Sequence, residues 1–299
     1  MIKKIMGFAR LARPANLPTA AADILAGITI SLYFLNTEAA TFFVESRFEV
    51  FLLVCSSVFL YAGGVVFNDV FDAELDAVER PERAIPSGLI SVPQAILWGV
   101  LLMVSGLFMA YGTNVLSGNL ALVLVAAILI YDGVAKRYSF WGPLVMGICR
   151  GLNLLLGMSI LSQINPWWVA LVPVLYIFAI TLISRGEVHG NNKKHILISG
   201  LMYAIVILSI TGAIIMFSDN LYSSLPFIIL FSFLVFRPLS KAYKENSPAN
   251  IKKAVMAGVL SLVVMDACWV AGFSNWYIAL GVLLLLPLSL ILSRIFAVT

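Results

Sequence analysis

The chain has 299 residues, of which 61% are hydrophobic and 11% are charged, and its mean hydropathy is +1.00. This composition excludes a water-soluble globular domain and predicts an integral membrane protein, surrounded by lipid. The formal net charge of +4 does not indicate a nucleic-acid partner, because basic residues accumulate beside membrane segments for topological reasons alone.

Apolar segments recur along the whole chain, and each is close to the roughly 20 residues that cross the hydrocarbon core as a helix. They predict an all-α transmembrane bundle of nine or ten spans. No shift in composition marks a second domain, so residues 1–299 are expected to form one domain. The predicted spans are 17–35, 50–67, 92–112, 115–131, 141–161, 166–184, 196–217, 221–237, 254–273 and 276–296.

Lysine and arginine concentrate in alternate loops, before the first span and after the second, fourth, sixth and eighth. Because cytoplasmic loops carry such an excess, the N-terminus and these loops are expected to lie in the cytoplasm, at the inner membrane of a bacterium. The polar loops 68–91 and 185–195 then lie on one side. We expect them to share a site.

The first of these loops begins with closely spaced acidic residues. Asp69, Asp72 and Asp76 are three and four positions apart, so on a helix they lie within roughly 60° of one another. Carboxylate oxygens suit Mg²⁺, which takes one or two of them and leaves positions for phosphate. With an amide contact from Asn68, the pattern predicts a site for Mg²⁺ and a diphosphate.

Two arginines, Arg80 and Arg83, follow the acidic stripe and are placed to bind phosphate oxygens by charge-assisted hydrogen bonds. Pro81 and Pro86 are expected to end the helix. A solvated acidic loop is the alternative, but solubility alone gives no reason for acids on one face followed by arginines and Pro-Ser-Gly.

Residues 68–88 resemble the first signature of the UbiA superfamily, Asn-Asp-x-x-Asp-x-x-x-Asp followed by Arg-Pro-x-Arg-x-x-Pro-Ser-Gly. The likeness extends to 13–27 and to the region 131–137. It implies an intramembrane prenyltransferase with a central cavity that opens to the cytoplasmic side. In that family this motif binds Mg²⁺-diphosphate at the mouth of the cavity, and the prenyl tail lies in an apolar tunnel among the helices. Ionisation of the allylic diphosphate then alkylates an acceptor.

The resemblance also assigns roles to individual residues. Metal and diphosphate binding falls to Asn68, Asp69, Asp72 and Asp76, with phosphate contacts from Arg83, Lys136 and Arg137. Within this set we expect Asp72, Asp76 and Arg83 to be catalytic.

The second motif of that family, between spans six and seven, usually carries two or more aspartates, and here it reads SRGEVHGNN. Glu187 is its one carboxylate, flanked by Arg185 and His189. Two alternatives follow: the motif holds a second metal only weakly, or Arg185 replaces that metal electrostatically. In either case Arg185, Glu187 and His189 are expected to contact substrate. Together with ICRGLNLLLG at 148–157, it looks like the UbiA-like branch called EboC.

Arg150 in the fifth span is a functional candidate because an intramembrane arginine is costly. With Asn153 one turn further, it is expected to face the cavity as a catalytic residue. Asn16 and Asp23 are expected to line the same cavity, and Asp266 to pair with a buried cation. The alternative for Arg150 is an internal ion pair with Asp132, Glu187 or Asp266.

Three functions were weighed. Prenyl transfer leads, while loss of the second aspartate motif favours, as the alternative, a scaffold that binds or transports lipids or small molecules. A CDP-alcohol phosphotransferase is rejected because 132–137, DGVAKR, only partly echoes its D-G-x-x-A-R pattern. The sequence leaves the acceptor and the prenyl chain length open.

Overall fold

The computed structural model describes residues 2–187 and 190–296. Within these ranges the fold is helical, with no strand. The helices are α1 (Ile2–Leu11), α2 (Leu17–Phe34), α3 (Ala39–Glu45), α4 (Arg47–Phe71), α5 (Ala73–Glu79), α6 (Val92–Thr113), α7 (Val115–Gly133), α8 (Trp141–Met158), α9 (Leu171–Ser184), α10 (Lys193–Phe217), α11 (Leu221–Lys244), α12 (Pro248–Leu260), α13 (Leu262–Phe273), α14 (Trp276–Leu283) and α15 (Leu285–Ile295).

Ten segments of the described chain are long and apolar enough to cross a membrane, which confirms the predicted all-α bundle. Some spans combine two helical pieces: α12 and α13 form one span with a break at Ser261, and α14 and α15 form the last one. The spans are Pro14–Phe34, Arg47–Phe71, Val92–Thr113, Val115–Gly133, Trp141–Leu161, Trp167–Ser184, Lys193–Phe217, Leu221–Lys244, Pro248–Phe273 and Trp276–Ile295.

The first helix, α1, was not predicted, since its ten residues are too few to span a bilayer. It is amphipathic. Phe8 packs edge-on against Trp98, with ring centroids 5.9 Å apart, whereas Lys3, Lys4 and Arg10 are exposed. This division of faces is typical of a helix that lies along a membrane surface.

The first span, with α2, is the most enclosed and packs against α4, α8 and α13. Small residues allow its close contact with α8. A Cβ on Gly157 would lie 2.5 Å from the Ile24 carbonyl oxygen, and one on Gly27 would overlap the Leu154 carbonyl. Membrane helices approach closely through such residues, and this contact sets α2 and α8 side by side.

The basic loops gather at one end of the bundle, called the basic face below. Their contacts show the grouping. Gly7 of α1 lies against Leu89 of the acidic loop, and Gly190 lies against Asn246, between α11 and α12. The backbone N–H of Asn192 donates to the Asn246 side chain at 2.7 Å. The two polar loops that were predicted to share a site lie on the same side of the bundle, because the charge of Arg80 in 68–91 acts on Glu187 in 185–195.

Candidate active site

The acidic segment lies where α4 gives way to α5. The predicted single helix is interrupted at Asp72, which follows the last residue of α4 and precedes the first of α5. Backbone hydrogen bonds nevertheless continue from the Asp72 N–H to Asn68 and from the Asp76 N–H to Asp72. As predicted, α5 ends before Pro81, because proline disfavours the helical conformation in the residue that precedes it.

Two of the aspartates share one arginine. Arg83 Nη1 lies 2.5 Å from Asp76 Oδ2 and 3.4 Å from Asp69 Oδ1. Arg13, which ends the chain segment before the first span, lies 2.5 Å from the same Asp69 oxygen. Asp69 and Asp76 are buried. The predicted common face for these two residues, and the predicted nearness of Arg83, are thus present in the structure.

The third aspartate turns toward a lysine from the loop after α7. Lys136 Nζ lies 2.7 Å from Asp72 and 4.0 Å from Asp132. Asp132 also accepts a hydrogen bond of 2.9 Å from the Asn68 amide. Two ion-pair clusters therefore lie at the basic face: one joins Arg13, Asp69, Arg83 and Asp76, and the other joins Asp72, Lys136, Asp132 and Asn68. The clusters adjoin, because Arg13 and Asp132 line the same cavity, and together they are called the charged network below.

A cavity of about 290 Å³ begins at this network and runs into the bundle. Of the charged network, Arg13, Asn68 and Asp132 line the cavity, and the other members do not. The rest of its lining is mainly apolar but includes Ser57, Arg150 and Asn153. This is the predicted central cavity. Its lining is Arg13, Ser57, Tyr61, Gly64, Val65, Asn68, Leu124, Ile128, Tyr131, Asp132, Met146, Cys149, Arg150, Asn153, Ile177, Val259 and Leu262.

Arg150 reaches this cavity and is also held by a buried ion pair. Its Nε lies 2.6 Å from Asp23 Oδ2, and its Nη2 donates to the Thr19 carbonyl at 2.5 Å. Asp23 also accepts from the Asn153 amide at 2.8 Å. The three partners that the sequence suggested for Arg150 are wrong, because close packing of α2 on α8 places Asp23 nearest. Asp23 itself is not among the cavity-lining residues.

Asp266 departs from its expected role as the partner of a cation. It is 0% exposed, and no N–H or hydroxyl donor of the described residues reaches its oxygens; its carboxyl group lies within hydrogen-bonding reach of the Asp23 carboxyl group. Asp23 and Arg150 are the charged groups that act on it. Arg150 is already paired with Asp23. Asp266 therefore lies next to the acid of that ion pair and has no cation of its own among the described residues.

The second loop contributes Glu187. Burial raises the pKa of its carboxyl group above the ordinary value of 4.5, while the positive charges of Lys252 and Arg80 act in the opposite direction. Arg80 belongs to the acidic loop, so its influence shows that the two loops face each other. His189 lies outside the described residues.

A second, basic pocket of about 410 Å³ adjoins the charged network between α8 and the end of α9. It contains three of the predicted substrate-binding residues, Lys136, Arg137 and Arg185, and no carboxylate lines it. Its lining is Tyr131, Lys136, Arg137, Tyr138, Ser139, Gly142, Pro143, Thr181, Ser184 and Arg185.

Asn16 lines neither pocket. It lies in a short 3-10 turn, Pro14–Asn16, that packs against α15. Its backbone carbonyl accepts a hydrogen bond of 2.7 Å from the Thr19 hydroxyl. The other predicted site residues of the described chain that line neither pocket are Asp69, Asp72, Asp76, Arg80, Arg83 and Glu187.

The donor set suits Mg²⁺ bound together with a diphosphate. No group of three His, Cys, Asp or Glu side chains in 2–187 or 190–296 is arranged to hold a metal ion by itself. Mg²⁺ does not need one, since it is typically bound through one or two carboxylates plus substrate phosphates. Asp72 and Asp132, which both contact Lys136, offer such a pair.

Arg13 and Asp132 are the site residues that sequence reasoning missed. Arg13 counted only as a basic residue near a membrane boundary and as part of the stretch 13–27. Asp132 had a signal, because it lies four residues before Lys136 and such pairs contact each other along a helical turn. It was considered only as a partner for Arg150.

Known proteins resemble this chain in sequence and in fold. Curated relatives named digeranylgeranylglyceryl phosphate synthase include one from Methanococcoides burtonii, 32% identical over 157 residues, or 52% of this chain and 55% of the relative. Another, from Methanoregula boonei, is 32% identical over 181 residues, or 60% of this chain and 59% of the relative. The chain spans a little over half the length of these relatives.

Solved structures share the fold. A UbiA homologue from Archaeoglobus fulgidus, bound to GPP and Mg²⁺, superposes with a TM-score of 0.63 at 14% identity, covering 88% of this chain and 99% of that one. A structure of digeranylgeranylglyceryl phosphate synthase gives a TM-score of 0.65 at 20% identity, covering 90% and 98%. The model of the UbiA prenyltransferase family matches residues 24–257, most of the chain, and the protein therefore belongs to that family.

Proposed function

We propose that the protein transfers an isoprenoid chain from an allylic prenyl diphosphate to an acceptor within the membrane, in a Mg²⁺-dependent reaction. The observation that carries this proposal is the cavity that leads from the charged network into apolar walls. A prenyl diphosphate has the matching division, with a polyanionic head and an apolar tail. The A. fulgidus homologue, which binds GPP and Mg²⁺, supports the same class of donor.

In this reaction the allylic C–O bond breaks, its electron pair leaves with pyrophosphate, and the acceptor oxygen or carbon bonds to the freed carbon and loses a proton. Arg13, Arg83 and Lys136 bind phosphate oxygens and stabilise the departing charge, which is the kind of electrostatic effect that usually dominates catalysis. Bound Mg²⁺ supplies further charge neutralisation. Asp72 and Asp132 would hold it. Asn68, Asp69 and Asp76 are the other proposed ligands, and Arg83 competes with the metal for the last two.

The acceptor, we infer, carries a phosphate. The curated relatives are named for a glyceryl phosphate, and the second pocket joins Lys136, Arg137 and Arg185 without a lining carboxylate. Such a pocket suits a phosphate monoester held by charge-assisted hydrogen bonds. It lies beside the network, so an acceptor anchored there has its reactive end near the donor.

The basic face is proposed to be cytoplasmic, from the excess of Lys and Arg in its loops. The relatives are archaeal, and a bacterial inner membrane stays a prediction for this chain.

The test is pyrophosphate release by the purified protein in nanodiscs, with several allylic diphosphates, with and without Mg²⁺. Prenylglycerol acceptors are supplied with and without their phosphate. We expect Mg²⁺-dependent release and a prenylated product, lost in Asp72→Ala. Glu74→Ala is the matched control, because Glu74 is an exposed acid of the same segment without an ion pair among the described residues.

Each outcome bears on a different part of the proposal. Undiminished release in Asp72→Ala would remove that carboxylate from the mechanism. Equal use of phosphorylated and dephosphorylated acceptors would contradict the role of the second pocket. Diphosphate binding without release, whatever the donor, would instead favour the binding or transport scaffold.

A further inference from the structure

A third concave surface lies away from the active site, between α11 and α12 at the basic face. It is a groove of about 710 Å³. We refer to it as the α11–α12 groove. Its lining is Phe233, Leu234, Arg237, Pro238, Ser240, Lys241, Lys244, Glu245, Asn250, Lys253 and Ala257.

The charge of the groove is strongly positive. Arg237, Lys241 and Lys244 come from α11 and Lys253 from α12, and all four are exposed. None forms an ion pair within the described part of the chain. The one lining carboxylate, Glu245, accepts a hydrogen bond of 3.0 Å from the buried Asn250 side chain. The groove therefore holds four cations and one carboxylate, and none of the four cations is ion-paired within the described residues.

The groove is also graded along its length. Its α11 residues recur every three or four positions from 233 to 244, so they form one stripe about 16 Å long. The stripe starts at Phe233, which is 54% exposed, and Leu234, and it ends at the lysines near the helix end. The Arg237 guanidinium lies over the Phe233 ring, 5.3 Å from its centroid. The half of the groove near Phe233 and Leu234 is therefore apolar, and the half near the end of α11 is cationic.

This gradient follows the membrane normal, because α11 is a membrane span whose basic end lies at the bilayer boundary. We propose that the α11–α12 groove binds an anionic phospholipid, with its phosphate among the four cations and the upper part of its acyl chains on Phe233, Leu234 and Ala257. A soluble phosphate would contact only the cations and would leave the apolar half of the groove unfilled. Basic clefts between membrane helices are suited to lipid head groups, and each nearby cation strengthens the attraction.

The proposal is independent of the prenyl transfer reaction, since none of the groove residues belongs to the charged network or to either of its pockets. The occupant is a lipid of the surrounding bilayer. Its binding is expected whether or not the protein turns over a prenyl diphosphate.

The experiment is native mass spectrometry of the purified full chain, incubated in detergent with dioleoyl phosphatidylglycerol or dioleoyl phosphatidylcholine. We expect selective retention of phosphatidylglycerol. The double variant Lys241→Gln, Lys253→Gln removes one cation from each wall and is expected to lose one tightly retained molecule. Lys193→Gln, Lys194→Gln is the control, because it removes the same charge from exposed positions of the same face outside the groove.

A second variant, Ala257→Phe, fills the apolar half without changing any charge, and it is expected to lose the same molecule. Equal retention of both lipids, or unchanged retention of phosphatidylglycerol in the groove variants, would overturn the proposal. The same holds if the control variant loses as much lipid as the groove variant. Displacement of the lipid by inorganic phosphate at constant ionic strength would assign the cations to a soluble anion instead.

Discussion

Asp69 and Asp76 lie on different helices, yet their carboxylates are joined by a single guanidinium, that of Arg83. The helix break at Asp72 does not separate them, because the backbone hydrogen bonds continue across it. Two carboxylates that share one cation repel each other when that cation is removed. Arg83 therefore has a structural role in the resting site in addition to any contact with phosphate.

Arg83→Gln is expected to lower kcat/KM for the prenyl diphosphate by about 10²-fold, the usual cost of losing one group that stabilises developing charge. The KM for Mg²⁺ should fall in the same variant, because the two carboxylates lose a competing cation. Steady-state kinetics over a Mg²⁺ series measure both. Arg80→Gln is the comparison; an equal loss there would show that general positive charge, and not the shared contact, matters.

Asp132→Asn is expected to abolish most activity while leaving the fold intact, since the amide keeps the size of the side chain. Asp132 accepts from Asn68 at 2.9 Å and lies 4.0 Å from Lys136, so its charge orients both residues. Turnover and the thermal midpoint are measured together. Activity close to that of the unchanged protein would exclude Asp132 from the site.

The buried pair of Asp23 and Arg150 predicts a non-additive effect on stability. Asp23→Asn or Arg150→Met alone leaves an uncompensated charge, which in buried pairs costs about 3–5 kcal/mol. The double variant should be more stable than either single one. Thermal unfolding of all four proteins in one detergent measures the coupling, and simple additivity would contradict the pairing.

Glu187 predicts a pH dependence of stability. Its pKa in the folded state is raised by burial, so the folded state holds the proton more tightly than the unfolded state. The resulting stabilisation is complete below the ordinary value of 4.5 and is lost as the pH rises through the folded-state pKa. Glu187→Gln, which lacks this titration, should gain in thermal midpoint relative to the unchanged protein as the pH is raised.

A pH series of melting curves for Glu187→Gln and the unchanged protein tests this sign. A midpoint difference for Glu187→Gln that shrinks toward neutral pH would mean that Lys252 and Arg80 outweigh the effect of burial.

The sequence was sufficient for the spans, because hydropathy and the requirement for about 20 residues per crossing are local properties. The same is true of part of the acidic loop. Spacing predicted that Asp69, Asp72 and Asp76 share a face; Asp69 and Asp76 meet at Arg83, whereas Asp72 turns to Lys136 at the helix break. The predicted helix end before Pro81 is confirmed. The metal and substrate roles of these residues stay predictions that the experiments above address.

The partners across the bundle could not be predicted in this way. Arg150 had three candidate acids, and its actual partner, Asp23, follows from how closely α2 packs on α8 at Gly27 and Gly157. Likewise, nothing local in the sequence shows that Lys136 turns to Asp72. Such contacts depend on the relative positions of helices, which hydropathy does not determine.

One consequence follows from the place of Arg13 in the chain. It lies two residues after the amphipathic helix α1 and forms an ion pair with Asp69 at 2.5 Å. A displacement of α1 is therefore passed to Arg13 through only two residues and changes the distance between its positive charge and Asp69. The position of the first helix and the electrostatic potential at the candidate site are thus linked.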